Sequence, residues 1–346
     1  MDRRVIFAVA GSGKTTFLIS QLDTERRFLL VTYTINNAQH LRDEIIRKFG
    51  YFPSKIVVYT FFEFLINFCY SPFYKDSMHA NGIWWDQIPE SARFFNNNQR
   101  KYYLSESGLL YHNRISRLCE RKSEDIKHRI EKYFDCFFLD EVQDVAGHDF
   151  NFLLKIIPSS GDVLFVGDFF QHTFDTSLDG NVNSSLHDDY SKYQQKWANC
   201  RLDVDTTSFR KSHRCSKAVC EYVMNSTGID IESSREEEGQ VVYVDSDTIA
   251  KSIIVDNNTP KFFLQESYSY RCRGINWGES KGMDDFNDIC VVLNKKTLDL
   301  YKKGKLPELP QRTKNKFYVA CTRAKGILYL LPYTYLSQYK IKKSLK

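Results

Sequence analysis

Val5-Ile6-Phe7-Ala8-Val9-Ala10-Gly11-Ser12-Gly13-Lys14-Thr15-Thr16 begins as an apolar strand over 5–9, runs straight into a glycine turn and continues as a helix from about Lys14. Strand, turn and helix in that order open an α/β fold. Residues 28–34 (FLLVTYT) form a continuous apolar and β-branched run, the pattern of a parallel strand buried on both faces. Ala38, Leu41, Ile45 and Phe49 then share one helical stripe, and Gly50 is placed to stop that helix. Further buried strands are expected at 56–59, 134–139, 163–167, 241–244, 289–293 and 327–331. Strands alternating with helical stretches predict parallel sheets with right-handed crossovers.

At 346 residues the chain has the length of about two domains. A composition 42% hydrophobic and 26% charged excludes wholesale disorder and a collagen-like chain. The pattern loosens over 72–129, where aromatic, Asn-rich and Ser-rich stretches (HANGIWWDQ, FFNNNQRKYY) precede a basic helical segment, and this reads as an insertion. Residues 225–260 are polar and acidic apart from the strand near Val241 and read as a second, reduced insertion. A composition shift at 199–205 divides a first domain, 1–200, from a second, 201–346.

There is no run of 18 apolar residues, and the N-terminal stretch turns polar too soon for a signal peptide, so a cytoplasmic protein without membrane contact is expected. Nine cysteines, with no Cys-x-x-Cys pair, argue against a disulfide framework and a zinc knuckle, and predict reduced, mostly buried thiols. Charge is uneven. Residues 295–346 carry fourteen Lys and Arg against Asp299 and Glu308, a net +12, whereas the preceding 294 residues carry −7. A basic end on an acidic body suits a polyanion such as nucleic acid.

Residues 8–15 (AVAGSGKT) form a phosphate loop in which Ala8 replaces the usual first glycine. Gly11, Ser12 and Gly13 let backbone N–H groups close around phosphate oxygens, the helix N-terminus adds a favourable dipole, Lys14 reaches the β- and γ-phosphates and Thr15 ligates Mg²⁺. Residues 137–144 (FFLDEVQD) put two acids at the C-terminal end of a buried strand, where open α/β sheets bind ligands. Asp140 is the expected Mg²⁺ ligand. Glu141 is the expected general base, since a metal ligand is poorly placed to take a proton as well.

In order along the chain, AxAGSGKTT, VTYTINNA, TFFEFL, LDEVQD, VGDFFQ, SHR, SKGMDDF and YVACTRA resemble the motifs of the UvrD/Rep-type superfamily 1 DNA helicases. The resemblance covers residues 6–331. It implies two RecA-like domains with parallel sheets, a compact variant with short insertions in each, ATP and Mg²⁺ between them and single-stranded DNA, or a tailed duplex, across their tops. By resemblance Gln171 senses the γ-phosphate, and Arg214 and Arg323 are the arginines delivered from the second domain. An arginine supplied only on closure gates hydrolysis because phosphoryl transfer rests on positioning and charge stabilisation. Gly282 and Asp284 match the stretch that meets the ribose and phosphate. The family sandwiches adenine between an arginine and a tyrosine; Thr16 and His213 stand at those positions here.

A sequence-tolerant single-strand site combines phosphate contacts with aromatic faces on which bases stack. The candidates are Thr32, Tyr33 and Asn37 after the second strand, Thr60 and Phe61 after the third, and Phe174 after Gln171; the family's Trp-Arg pair after that aromatic is Thr176-Ser177 here. The resemblance implies an ATP-driven, DNA-stimulated motor moving 3′ to 5′. A second reading is a nucleotide-sensing ATPase subunit that regulates a protein partner such as a nuclease in an antiviral or phage-linked system, with little unwinding of its own.

Overall fold

The apolar runs fold as strands, and every ladder between them is parallel. The computed structural model describes residues 2–173, 179–283 and 285–341. They form two compact units: one of residues 2–7, 15–167 and 179–205, the other of residues 8–14, 168–173 and the described part of 206–341. Helices and parallel sheets of this kind make a mixed α/β protein, as two RecA-like domains require.

The first unit carries β1 (Arg3–Phe7), β2 (Phe28–Thr32), β3 (Ile56–Thr60), β4 (Gly82–Trp84), β5 (Leu109–Tyr111), β6 (Cys136–Leu139), β7 (Asp162–Gly167) and β8 (Asp203–Asp205). Six of these make a sheet in the order β3-β2-β6-β7-β1-β8. β2 and β6 are buried at every residue because each has a strand on both sides and helices over its faces, whereas the edge strand β3 alternates. The register sets Phe7 level with Gly167 and Thr32 level with Thr60, so the chain leaves these strands along one rim. α1 (Lys14–Ser20) starts at the end of the glycine turn. α2 (Ile35–Phe49) starts at Thr34, whose hydroxyl accepts the Asn37 N–H, and stops at Gly50, whose φ of 78° suits a residue without Cβ.

The second unit carries β9 (Lys211–Ser212), β10 (Glu232–Ser233), β11 (Gln240–Tyr243), β12 (Lys261–Phe263), β13 (Gly274–Asn276), β14 (Ile289–Leu293) and β15 (Ile327–Pro332). Its main sheet runs β11-β15-β14-β12-β13. One face packs on the helices Lys217–Thr227 and Gln311–Cys321 through Val219, Val223, Phe317 and Cys321, and the other on the helix Asp247–Val255 through Ala250, Ile253 and Ile254. Each fully buried Val, Leu, Ile or Phe contributes about 1.5–3 kcal/mol before chain entropy is subtracted.

Two expectations change. Residues 225–260 are not an insertion: β11 pairs with β15, and the helix after it covers the sheet, so the segment is core. Its acidic, polar residues lie on solvent faces and obscure a short apolar stripe. The insertion of the first unit begins later than 72, because residues 61–78 are continuously helical. It folds around the β4–β5 pair and a small cluster of Ile88, Ala92 and Tyr111. All nine cysteines are free thiols, seven of them buried. No helix among the described residues is long and apolar enough to cross a membrane.

Candidate nucleotide and nucleic-acid sites

The glycine turn between β1 and α1 holds Gly11 at φ +69° and Gly13 at φ +83°, the left-handed region that L side chains avoid. Gly11 also has no room: a Cβ there would lie 2.6 Å from Cβ of Arg214 and 2.9 Å from Oγ of Ser212. Within the second unit the turn is anchored by three backbone donors and acceptors. Val9 N–H donates to the Phe209 carbonyl at 2.9 Å, His213 N–H donates to the Gly11 carbonyl at 2.8 Å, and Ala10 N–H donates to the Tyr318 hydroxyl at 2.8 Å. Tyr318 in turn donates to Oδ2 of Asp168 at 2.9 Å, and the same oxygen accepts from the Gln171 side-chain amide at 3.0 Å. A single carboxylate thereby joins the glycine turn, Gln171 and the helix that carries the YVACTRA string. Burial pushes the Tyr318 phenol well up, with the Asp168 charge adding to it, so the hydroxyl remains a donor.

Arg214 donates to the Thr322 carbonyl at 3.4 Å. Arg323 is 1% exposed, its guanidinium donating to the Val319 and Met283 carbonyls at 3.2 Å each. His213 is exposed, 3.9 Å from where a Gly13 Cβ would be, and its Nδ1 lies 2.7 Å from the Ser234 hydroxyl. Gly282 has φ +80° with open space around it, and Thr16 is exposed on α1. Asp284 and Phe174, with Thr176 and Ser177, lie outside the described residues.

In the first unit, the Thr15 hydroxyl donates to Oδ2 of Asp140 at 3.1 Å. Asp140 follows β6, and its Oδ1 accepts the Glu141 N–H at 2.9 Å. Glu141 stands at φ +57°, an uncommon conformation for a residue with a side chain, and this strained turn directs successive acids to different neighbours. The Gln143 side-chain amide donates to the Glu141 carboxylate. Gln143 fits only because Gly167 has no Cβ, which would fall 2.2 Å from Gln143 Oε1.

Taken within each unit, these residues are of the types that phosphate and Mg²⁺ require. Lys14 is 9% exposed and pairs with no carboxylate among the described residues, and the buried Ser12 hydroxyl has no partner there. Both are donors held ready for an anion. The hydroxyl of Thr15 beside the carboxylate of Asp140 is a hard-oxygen pair of the kind Mg²⁺ takes along with phosphate and water. No cluster of three or more His, Cys, Asp or Glu suited to a metal occurs among the described residues.

The expected single-strand contacts divide. Tyr33 lies at a recess on the rim after β2, its ring stacked on Phe61 at 6.2 Å and 17°. Asn37 is half-buried in the first turn of α2. Thr32 is 0% exposed, enclosed because β2 is an interior strand. The Thr60 hydroxyl is likewise committed, accepting the Glu63 N–H at 3.1 Å while the Glu63 carboxylate accepts the Thr60 N–H at 2.7 Å, a reciprocal helix cap. Phe61 is buried and supports Tyr33 from behind. Sequence reasoning gave no role to Tyr318, Asp168, Gln143 or Trp85. The first three lie inside strings already singled out, and Trp85 stood out only as one of two adjacent tryptophans.

Comparison with known proteins gives a consistent picture. Residues 2–175 match the family model of an AAA domain, and residues 110–331 match that of the viral superfamily 1 RNA helicase core domain. Among solved structures, the complex of arterivirus nonstructural protein 10, a helicase, with DNA aligns over 95% of this chain and 60% of its own, at 16% identity and a TM-score of 0.50. The arterivirus helicase without that description of DNA aligns over 96% and 62%, at 15% and 0.49, and the PRRSV helicase over 99% and 55%, at 14% and 0.47. The chain therefore spans about 60% of the length of the arterivirus protein. No curated protein matches it.

Proposed function

The chain belongs to the viral superfamily 1 RNA helicase core domain family, and from that membership, with DNA and polarity taken from the UvrD/Rep resemblance, we propose that it is an ATP-hydrolysing motor that translocates 3′ to 5′ on single-stranded DNA and opens tailed duplexes. The observation that carries the reading is the Thr15–Asp140 pair followed directly by a Glu141 carboxylate held by Gln143. The DEVQD and YVACTRA strings support a UvrD/Rep-like assignment and DNA as the strand.

In this reading Lys14 and the N–H groups of the glycine turn bind the β- and γ-phosphates, and Thr15 and Asp140 hold Mg²⁺. When bound, Mg²⁺ neutralises charge on the phosphoryl oxygens. Glu141 orients the attacking water and accepts its proton, and Gln143 keeps its carboxylate from turning away. Arg214 and Arg323 stabilise charge that develops in transfer, and Gln171, tied to Asp168, reports the state of the terminal phosphate to the strand side.

Lys14 acts on the nucleotide in the ground state and Glu141 on the attacking water. Lys14→Ala is therefore expected to lose both nucleotide binding and turnover, whereas Glu141→Gln loses turnover and still binds ATP and single strands. Steady-state hydrolysis with and without single-stranded DNA, with unwinding of 3′- and 5′-tailed DNA and RNA duplexes, checks this. A Glu141→Gln protein keeping more than about a tenth of wild-type hydrolysis would remove Glu141 as the base, since such a base supplies roughly 10²-fold or more. A strand-stimulated protein that opens neither tail would favour the partner-regulating subunit.

A further inference from the structure

Beside the rim of the first sheet the insertion builds an aromatic recess of about 420 Å³, lined by Tyr33, Ile35, Phe61, Phe62, Trp85 and His112 among others. Trp85 is 61% exposed and Ile35 78%, an unusual outlay of apolar surface for neighbours. The Trp85 ring is held from behind. It stacks on His112 at 5.5 Å and 29° and meets Phe62 at 4.7 Å and 47°. His112 is itself fixed, its Nδ1 3.0 Å from the Trp84 carbonyl. The indole is thus preorganised on one side and open on the other.

The lining selects the occupant by charge. It contains no Lys or Arg but two carboxylates, Glu63 and Asp149. Both are already engaged, Glu63 with the Thr60 N–H and Asp149 with the Ser116 hydroxyl. A phosphate would meet like charge without a cation, whereas an uncharged planar base finds stacking faces and no such repulsion. The recess also opens at the C-terminal ends of the paired strands β2 and β3, where ligands bind in open α/β sheets.

We propose that Trp85, backed by His112 and facing the Tyr33 side of the recess, is a base-stacking subsite that takes one unpaired nucleobase while the phosphates of the strand pass outside. It rests on the reading that the chain binds single strands, and it adds an insertion residue to the contacts.

The test uses the full chain and a mixed-sequence DNA oligomer, with affinity read by anisotropy across salt concentrations and by tryptophan fluorescence. Trp197 and Trp277 are fully buried, so quenching by the oligomer reports the Trp84–Trp85 pair. Trp85→Ala is expected to weaken binding about 5- to 100-fold, the loss of one base–aromatic stack, to abolish most quenching and to leave the salt slope unchanged. Trp85→Phe should recover most of the affinity, which separates stacking from misfolding. An oligomer of the same length with abasic sites should bind the wild type at least as weakly as the intact oligomer binds Trp85→Ala. Wild-type affinity in Trp85→Ala, or equal binding of abasic and intact oligomers, overturns the subsite alone. A wild-type protein that binds no single strand overturns the single-strand reading and the subsite with it.

Discussion

Thr16 and His213 stand where the resembled helicases grip adenine, and neither is built to read a base. Thr16 is an exposed short side chain on α1, and the His213 imidazole is engaged with the Ser234 hydroxyl. A site that hydrogen-bonds a base can reject an analogue by roughly 10⁴ or more, whereas stacking discriminates weakly because every base offers a π-face. ATP and GTP are therefore expected to be hydrolysed with kcat/KM values within roughly tenfold of each other, measured side by side at saturating Mg²⁺. A preference for ATP above about a hundredfold would show that another segment contacts the ring. The phosphate end was legible in the sequence because its chemistry is local: Gly11, Gly13, Lys14 and Thr15 are consecutive or nearly so. The hydrogen-bonded chain from Ala10 through Tyr318 and Asp168 to Gln171 was not, since its members are up to 308 residues apart and nothing in a tyrosine's own surroundings marks its distant partner.

At the scale of elements, the insertion of the first unit is pinned by a buried ion pair. Arg114 donates to Asp179 through Nε at 2.9 Å and Nη2 at 3.1 Å, to the Ala92 and Tyr102 carbonyls through Nη1, and lies 3.8 Å from the Tyr102 ring centroid. Burial alone would push the Asp179 carboxyl up, but hydrogen bonds from its neighbours and the Arg114 charge outweigh it and hold the group well below the usual carboxylate range. A depressed carboxyl contributes stability above its unfolded value of about 3.9 and loses it as pH falls from there through the folded value. Asp179→Asn should cost about 3–5 kcal/mol at neutral pH by stranding the Arg114 charge. Its deficit against the wild type should shrink below about pH 4, as denaturant titrations at pH 7 and pH 3.5 would reveal. A deficit that does not change with pH would mean that packing, not charge, makes the tie. Elements were legible where strands are apolar throughout, as in β2 and β14. They were hidden where a strand is three residues long and opens on a charge: β12 begins with Lys261, fully buried, its ammonium donating to the Asp256 carbonyl. Burial draws that ammonium down from its ordinary range, a cost no residue pattern advertises.

For the molecule as a whole, the proposed reading would have charge and aromatic surface divide the work of holding a strand. The net +12 of residues 295–346 would supply long-range attraction to phosphates, while the recess at Trp85 is free of Lys and Arg. Binding should accordingly be indifferent to sequence, with log affinity falling linearly against log salt at about −0.7 per phosphate neutralised. Filter binding of unrelated oligomers from 50 to 200 mM salt would show it, and salt-independent or strongly sequence-selective binding would refute it.

Val9 and Ala10, the second and third residues of the phosphate loop, belong to the same apolar cluster as Cys215, Phe317, Tyr318 and Leu330. The loop thus leaves a ribosome about 320 residues ahead of Leu330, and its surroundings are complete only when β15 has emerged. At about 5–20 residues per second that interval is on the order of tens of seconds. Through it the nascent loop has its glycines but not the apolar cluster that Val9 and Ala10 join, so the loop is seated only after β15 has been made.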